Sequence, residues 1–164
     1  MKDITIQDAQ MYTSPNPFAL VSSCDDIGRT NLMAISWWTY ASNSPATVVI
    51  CISSKGYTHS LIDEGREFAL NIPNENLSDS AAKCGTCTGS DVNKAKTFGI
   101  ELVPASRIRP MLVKESKVQM ECRTVIRIAV GDHFLYVADV LCIHGDENAK
   151  VLKSMNGYGY LRSY

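Results

Sequence analysis

The sequence is 164 residues long, 45% apolar and 20% charged, with a formal net charge of −1. That length sets a single domain spanning 1–164 as the expectation, with enough chain to bury roughly two thirds of its unfolded surface. The balanced charge gives no electrostatic case for nucleic acid, runs such as TVVICI are too short to cross a membrane, and MKDITIQDAQMYT lacks the flanks of a signal peptide, so the chain reads as soluble and cytoplasmic.

In chain order, PFALVSSC (residues 17–24) predicts a strand, DDIG a turn, and TNLMAIS the return strand of a hairpin. The only two tryptophans, Trp37 and Trp38, follow at its end. Adjacent residues of a strand face opposite sides, so one ring can enter the core while the other covers a cleft; a core role for both is the plainer alternative. After the NSP break, TVVICIS (47–53) is apolar on both faces and predicts a central, buried strand. YTHSLIDEG predicts a short helix, with Thr58 as its cap and Gly65 as its stop. EFALNI predicts another strand, and ENLSDSAAKCG a second helix ending near Gly85. The stretch from Thr86 predicts loop, a short helix at 92–97 and a brief extended piece after Gly99.

The clearest pattern is KVQMECRTVIRIAV. Val118, Met120, Cys122, Thr124, Ile126, Ile128 and Val130 recur at period two and predict a long strand with that face in the core. GDH (131–133) is a tight turn, and FLYVADVLCIH returns with both faces largely apolar. Such a strand needs cover on its second face, from the same chain or from another subunit. Strands in hairpins with short inserted helices argue against regular βαβ alternation and for a mainly β, antiparallel barrel.

Four constellations carry chemistry. In SSKGYTHSLI, Ser53, Lys55 and Thr58 surround a helix start, where free N–H groups suit a phosphate; any strand–turn–helix junction is polar, which is the bland alternative. The tryptophan pair is the second. Cys84-Gly85-Thr86-Cys87 has the spacing of a redox pair or half a zinc site, but it follows a predicted helix and the three histidines, His59, His133 and His144, are scattered. Nothing in this spacing assigns a metal. His133 in GDH is a loop histidine that binds a ligand or is merely solvated. Cys51, Cys122 and Cys142 lie in apolar strand patterns and read as buried reduced thiols.

Taken in order, PNPFALVSS, GRTNLMAISWW, SPATVVICISSKGYTHSLI, EFALNIP, CGTCTGSDVNKAKTFG and ECRTVIRIAVGDHFLYVADV resemble the flavin reductase-like, FMN-binding split-barrel family, close to its flavoredoxin branch. The resemblance runs from about residue 15 to residue 144, and CG…GSDVNK followed by VGDH is its most specific part. It implies an antiparallel split β-barrel with FMN as cofactor, typically a homodimer with flavin near the subunit interface. The flavin-contacting positions of that family match Asn31, Ser36, Trp37, Ser53, Lys55, Thr58, Lys94 and His133.

On that footing Ser53, Lys55, Thr58 and the helix start hold the phosphate dianion, and Trp37 and Asn31 meet the ring. Lys94 or His133 stabilises the negative charge gained on reduction. The implied activity is an NAD(P)H:flavin oxidoreductase, taking hydride from NADH or NADPH and passing electrons to free flavin or a redox protein. The alternative is a flavoredoxin-like electron carrier with little nicotinamide activity, and a third is a non-flavin module for haem or another small ligand, with His133 as the candidate axial ligand for haem. Cys87 is outside the family pattern, and Tyr158 or Tyr160 in the tail is a candidate cover for the cofactor.

Overall fold

Alternating apolar residues and Gly-, Asn- and Pro-punctuated turns give a mainly β structure. The computed structural model describes residues 1–156 and 159–164. A short helix, α1 (Ile6–Tyr12), opens on a Thr5–Asp8 capping box. It precedes β1 (Asn16–Pro17), β2 (Ala19–Cys24), β3 (Thr30–Ile35), β4 (Trp38–Asn43) and β5 (Ala46–Ser53). Helix α2 (Tyr57–Gly65) leads to β6 (Glu67–Pro73), a 3₁₀ turn (Glu75–Leu77), α3 (Ser78–Lys83) and α4 (Lys94–Phe98). Then come β7 (Leu102–Val103), β8 (Leu112–Val113), β9 (Ser116–Val130), β10 (His133–Gly145), β11 (Leu152–Met155) and β12 (Tyr160–Ser163).

Seven strands form one antiparallel sheet in the order β3-β2-β6-β9-β10-β5-β4. β1, β11 and β12 make a three-stranded sheet, and β7 and β8 a two-stranded one. β3 and β4 stand at opposite ends of the large sheet, yet only Ser36 and Trp37 separate them in sequence. The three peptide steps from Ile35 to Trp38 reach at most about 11 Å. The sheet therefore curls until its ends meet, and the Cys51 N–H, donating to Trp37 O at 2.8 Å, ties the junction to β5. This is the split-barrel arrangement expected from the sequence.

Inside the curl, Val21, Ile50, Phe68, Leu70, Met120 and Tyr136 form one core. Phe18, Leu20, Leu32 and Leu152 form a second on the other side of β2, with Ala81 of α3 and Ala95 of α4 packed into it. The Tyr136 hydroxyl donates to Asp63 Oδ1 at 2.9 Å, and Arg127 Nε pairs with the same oxygen at 2.9 Å.

The structure corrects several expectations. β5 is not central; it lies beside the end strand β4, with alternate residues buried and Val49 and Cys51 half-buried. The strands buried on both faces are β2 and, beyond Glu67, β6. The predicted core face of β9 holds only as far as Thr124; Ile126, Ile128 and Val130 are exposed. The reason is a register shift against β10: Ala138 pairs with Thr124 but Val137 with Ile126, so the alternation flips there and Ile126, Ile128 and Val130 face away from the core while Arg127 takes the face of Tyr136. The helix before Gly85 splits into a 3₁₀ turn and α3, and the short helix predicted at 92–97 runs instead over α4, capped by the Asn93 side chain. Thr58 does not cap α2: its N-cap is Gly56 with no side-chain bond, and its C-cap is left-handed Arg66, not Gly65. Only Cys122 of the three strand thiols is fully buried, and all six cysteines are free. Helix α1 and strands β4, β8, β11 and β12 were not predicted.

Burial pushes the Cys122 thiol from its ordinary 9.0 up to about 12. Between those values the unfolded chain has released the proton and the folded chain still holds it, so stability falls as pH rises through that window. Denaturation midpoints followed from about pH 8 to 11 should fall steadily, and Cys122→Ala should flatten the slope by up to about 1.4 kcal/mol per pH unit. An unaltered slope would mean that Cys122 is not protected from ionisation.

Candidate functional site

The β3–β4 junction answers why two large rings are adjacent. Trp38 begins β4 and packs against the inner core. Trp37 turns outward, remains 40% exposed, and lies against His133 with ring centroids 4.7 Å apart and planes tilted by 31°. His133 is the first residue of β10, registered opposite Ser53 at the end of β5. Its Nδ1 lies 2.7 Å from Asp132 Oδ1, and that hydrogen bond holds the Asp132 carboxyl below its usual range.

A groove runs beside the end strand β3. A cavity of about 250 Å³ is lined by Trp37, Cys51, Ser53 and His133, with Met33 as a wall. Met33 also bounds a second cavity of about 370 Å³, lined by Lys55, Tyr57, Cys87, Gly89 and Lys94. Tyr57 and Gly89 continue into a smaller one beside Asn31 and Ser90. Six of the residues expected at a site therefore border one continuous surface: Asn31, Trp37, Ser53, Lys55, Lys94 and His133.

Two others lie apart from it. Thr58 is buried, and its hydroxyl accepts from Asn31 Nδ2 at 3.0 Å. It therefore orients Asn31. Ser36 shares a hydrogen bond with the buried Ser154 of β11, with hydroxyl oxygens 2.9 Å apart. Tyr160 is exposed on β12 and lines none of these cavities, and Tyr158 lies outside the described residues.

The electrostatics centre on Lys94. It opens α4 and is buried, and its Nζ donates to Cys84 O at 2.7 Å. Desolvation lowers its pKa, and among the described residues the only titratable groups acting on it are the thiols of Cys84 and Cys87. No carboxylate among the described residues pairs with it. A buried ammonium without a counter-charge is costly and favours an anionic ligand. Cys84 answers the question raised by its spacing with Cys87. Burial pushes its thiol up to about 12, outweighing the pull of Lys94, which is the reverse of what disulfide exchange or zinc ligation requires.

Sequence reasoning missed Met33 and Gly89. Period two from Asn31 places Met33 on the same face of β3, and that signal was readable. Gly89 carries no such signal. A Cβ there would fall 1.7 Å from Asn31 Oδ1, so the loop can approach β3 only because this residue is glycine. That oxygen is buried without a hydrogen-bond partner, which makes the contact with Thr58 the one that fixes the carboxamide.

Residues 11–161 match the family described as flavin reductase like domain. An uncharacterised protein of Archaeoglobus fulgidus is 34% identical over 121 residues, covering 73% of this chain and 68% of that one. Among solved structures, an FMN-binding protein from Thermus thermophilus superposes with a TM-score of 0.87 at 20% identity, over 99% of this chain and 96% of that one. Flavoredoxin of Desulfovibrio vulgaris (Miyazaki F) superposes with a TM-score of 0.83 at 20% identity, over 93% and 88% of the two chains. At that identity these likenesses establish the fold.

Replacing Thr58 by Val removes the acceptor for a buried Asn31 N–H. The cost should be about 1–3 kcal/mol in a urea titration, the penalty of an unsatisfied buried donor. Wild-type stability in Thr58→Val would mean that Asn31 finds another partner.

Proposed function

Because this chain belongs to the flavin reductase like family, we propose that it is an FMN-binding redox protein, working as an NAD(P)H-dependent flavin reductase. The observation that carries the reading is Lys94, a buried cation without a carboxylate partner on the wall of a groove that has an aromatic rim. The donor set fits a flat, anionic phosphoester. Lys55, the Ser53 hydroxyl and the N–H groups at the start of α2, which no side chain caps, would hold the phosphate. Trp37, His133 and Asn31 would meet the ring system, with Thr58 holding Asn31 in place. Ser36, paired with Ser154, supports the junction from behind.

Bound there, FMN supplies acceptance of hydride from NADH or NADPH and delivery of electrons to free flavin or a redox partner. The Lys94 ammonium favours whatever negative charge develops beside it, while Trp37 and His133 shield that end from water. The reading includes a homodimer. Exposed Ile126, Ile128 and Val130 offer an apolar face that a second copy would cover.

The visible spectrum of the protein as purified, and again after FMN loading and removal of excess, tests the cofactor. A retained two-band flavin spectrum is expected, and a colourless protein that cannot be loaded overturns the reading. NADH and NADPH oxidation with added free flavin tests the enzyme. Retained FMN without turnover from either nucleotide would leave an electron carrier of flavoredoxin type, the alternative favoured by the likeness to that protein.

Lys94→Met separates binding from folding. FMN affinity should fall by about 1.5–3 kcal/mol, the worth of a charged hydrogen bond. The ligand-free protein should be no less stable, since a desolvated charge has been removed. Unchanged affinity in a folded Lys94→Met protein would remove Lys94 from the site.

A further inference from the structure

A second group of chemically active side chains lies on the same strand as His133, far from the groove. Cys142 falls nine residues after His133 on β10, roughly 30 Å along an extended strand. A register shift between Val140 and Cys142 sets Cys142 opposite Glu121 of β9. Period two then carries His144 to the same face as Cys142. The His144 Nε2 lies 3.4 Å from Cys142 Sγ and 3.5 Å from Glu121 Oε1. One ligand atom from each of the three residues lies within 4.8 Å of the others.

Glu121 is fully buried in a strand whose neighbours are apolar, and its carboxylate is held from behind. The Ser106 hydroxyl donates to Oε1 at 2.9 Å, and the Arg107 N–H donates to Oε2 at 2.6 Å. The Ser106 N–H reaches both oxygens at 3.1 Å. The carboxylate is thus satisfied and oriented without either His144 or Cys142. His144 adds an ion-pair contact to it, and Cys142 approaches the same imidazole nitrogen. Ligand atoms around a tetrahedral zinc ion sit about 3.3–3.6 Å apart, given bonds of roughly 2.0–2.3 Å to N, O and S. Two of the distances here already have that length.

We propose that Glu121, Cys142 and His144 form a mononuclear site for a zinc-class divalent cation, with a fourth position left for water. The ligand types are those of borderline-soft metals, not of calcium or magnesium. Ser106 and Arg107 serve as the outer shell that fixes the carboxylate. Half-exposed His144 stands at the entrance through which an ion would arrive.

The test uses the protein as purified, treated with a chelator and dialysed. Calorimetric titration with Zn²⁺ should give one ion per chain, and Co²⁺ should give an absorption band from thiolate-to-cobalt charge transfer. C142S and H144A should each weaken Zn²⁺ binding by at least about 100-fold, and S106A by about 10-fold. Zn²⁺ should raise the melting temperature of the wild type but not of C142S, which reads the site independently of the titration. Absence of saturable Zn²⁺ binding, a cobalt complex without a thiolate band, or unchanged affinity in a folded C142S protein overturns the assignment. None of these readouts depends on flavin.

Discussion

The constraint on which the rest depends is the length of one connection. Ser36 and Trp37 alone join the two end strands of a seven-stranded sheet. An open, gently twisted sheet of that width would hold its ends several strand spacings apart, at close to 5 Å per strand. Two residues cannot span that gap, so the sheet must bend. The bend encloses the core of Val21, Ile50, Phe68 and Tyr136. It also brings the end of β5 and the start of β10 beside the junction. The groove is the outer record of this closure: Trp37 from the junction, Ser53 and His133 from two paired strands, and Met33 and Asn31 from the strand that the junction leaves.

Within that frame the polar groups are placed unequally. Exposed Asp63 is shared by Tyr136 and Arg127, and buried Glu121 is held by Ser106 and Arg107, so both acids are satisfied. Lys94 differs. It has a carbonyl but no carboxylate, and Asn31 has one buried oxygen without a partner. Folded proteins tolerate such deficits where a function uses them. Both deficits fall beside the groove, whereas the satisfied acids lie elsewhere on α2 and β9.

Much of this was legible in the sequence, for identifiable reasons. Strands β2, β3, β6 and β10 could be read because apolar runs and Gly or Asn turns agree there. The division of labour between Trp37 and Trp38 followed from strand alternation. What could not be read depends on neighbours. The apolar alternation of β9 continues through Val130, but burial stops at Thr124 because a bulge in its pairing with β10 turns the later residues to the other face. Thr58 has the look of a helix cap, yet Asn31, far away in sequence, claims its hydroxyl. Glu121 sits where the pattern demanded a polar outward residue, and a loop around Ser106 turns that position inward. β11 and β12 are too short to announce themselves and exist because they pair with each other and with β1.

The closing junction also sets the order in which the molecule can be assembled. Local hairpins such as β2–β3 and β9–β10 bring together residues close in sequence, and such contacts form early. The β6–β9 ladder joins Glu67 to Arg123 and requires a long loop to close first. The β5–β10 ladder, which draws Ser53 to His133, closes a longer loop still. The walls of the groove are therefore strangers until the last long-range pairing is made. A nascent chain has no partial version of this surface. Whatever ligand it holds engages the finished fold alone and raises its population by mass action, acting as a latch on a completed structure and not as a template for one.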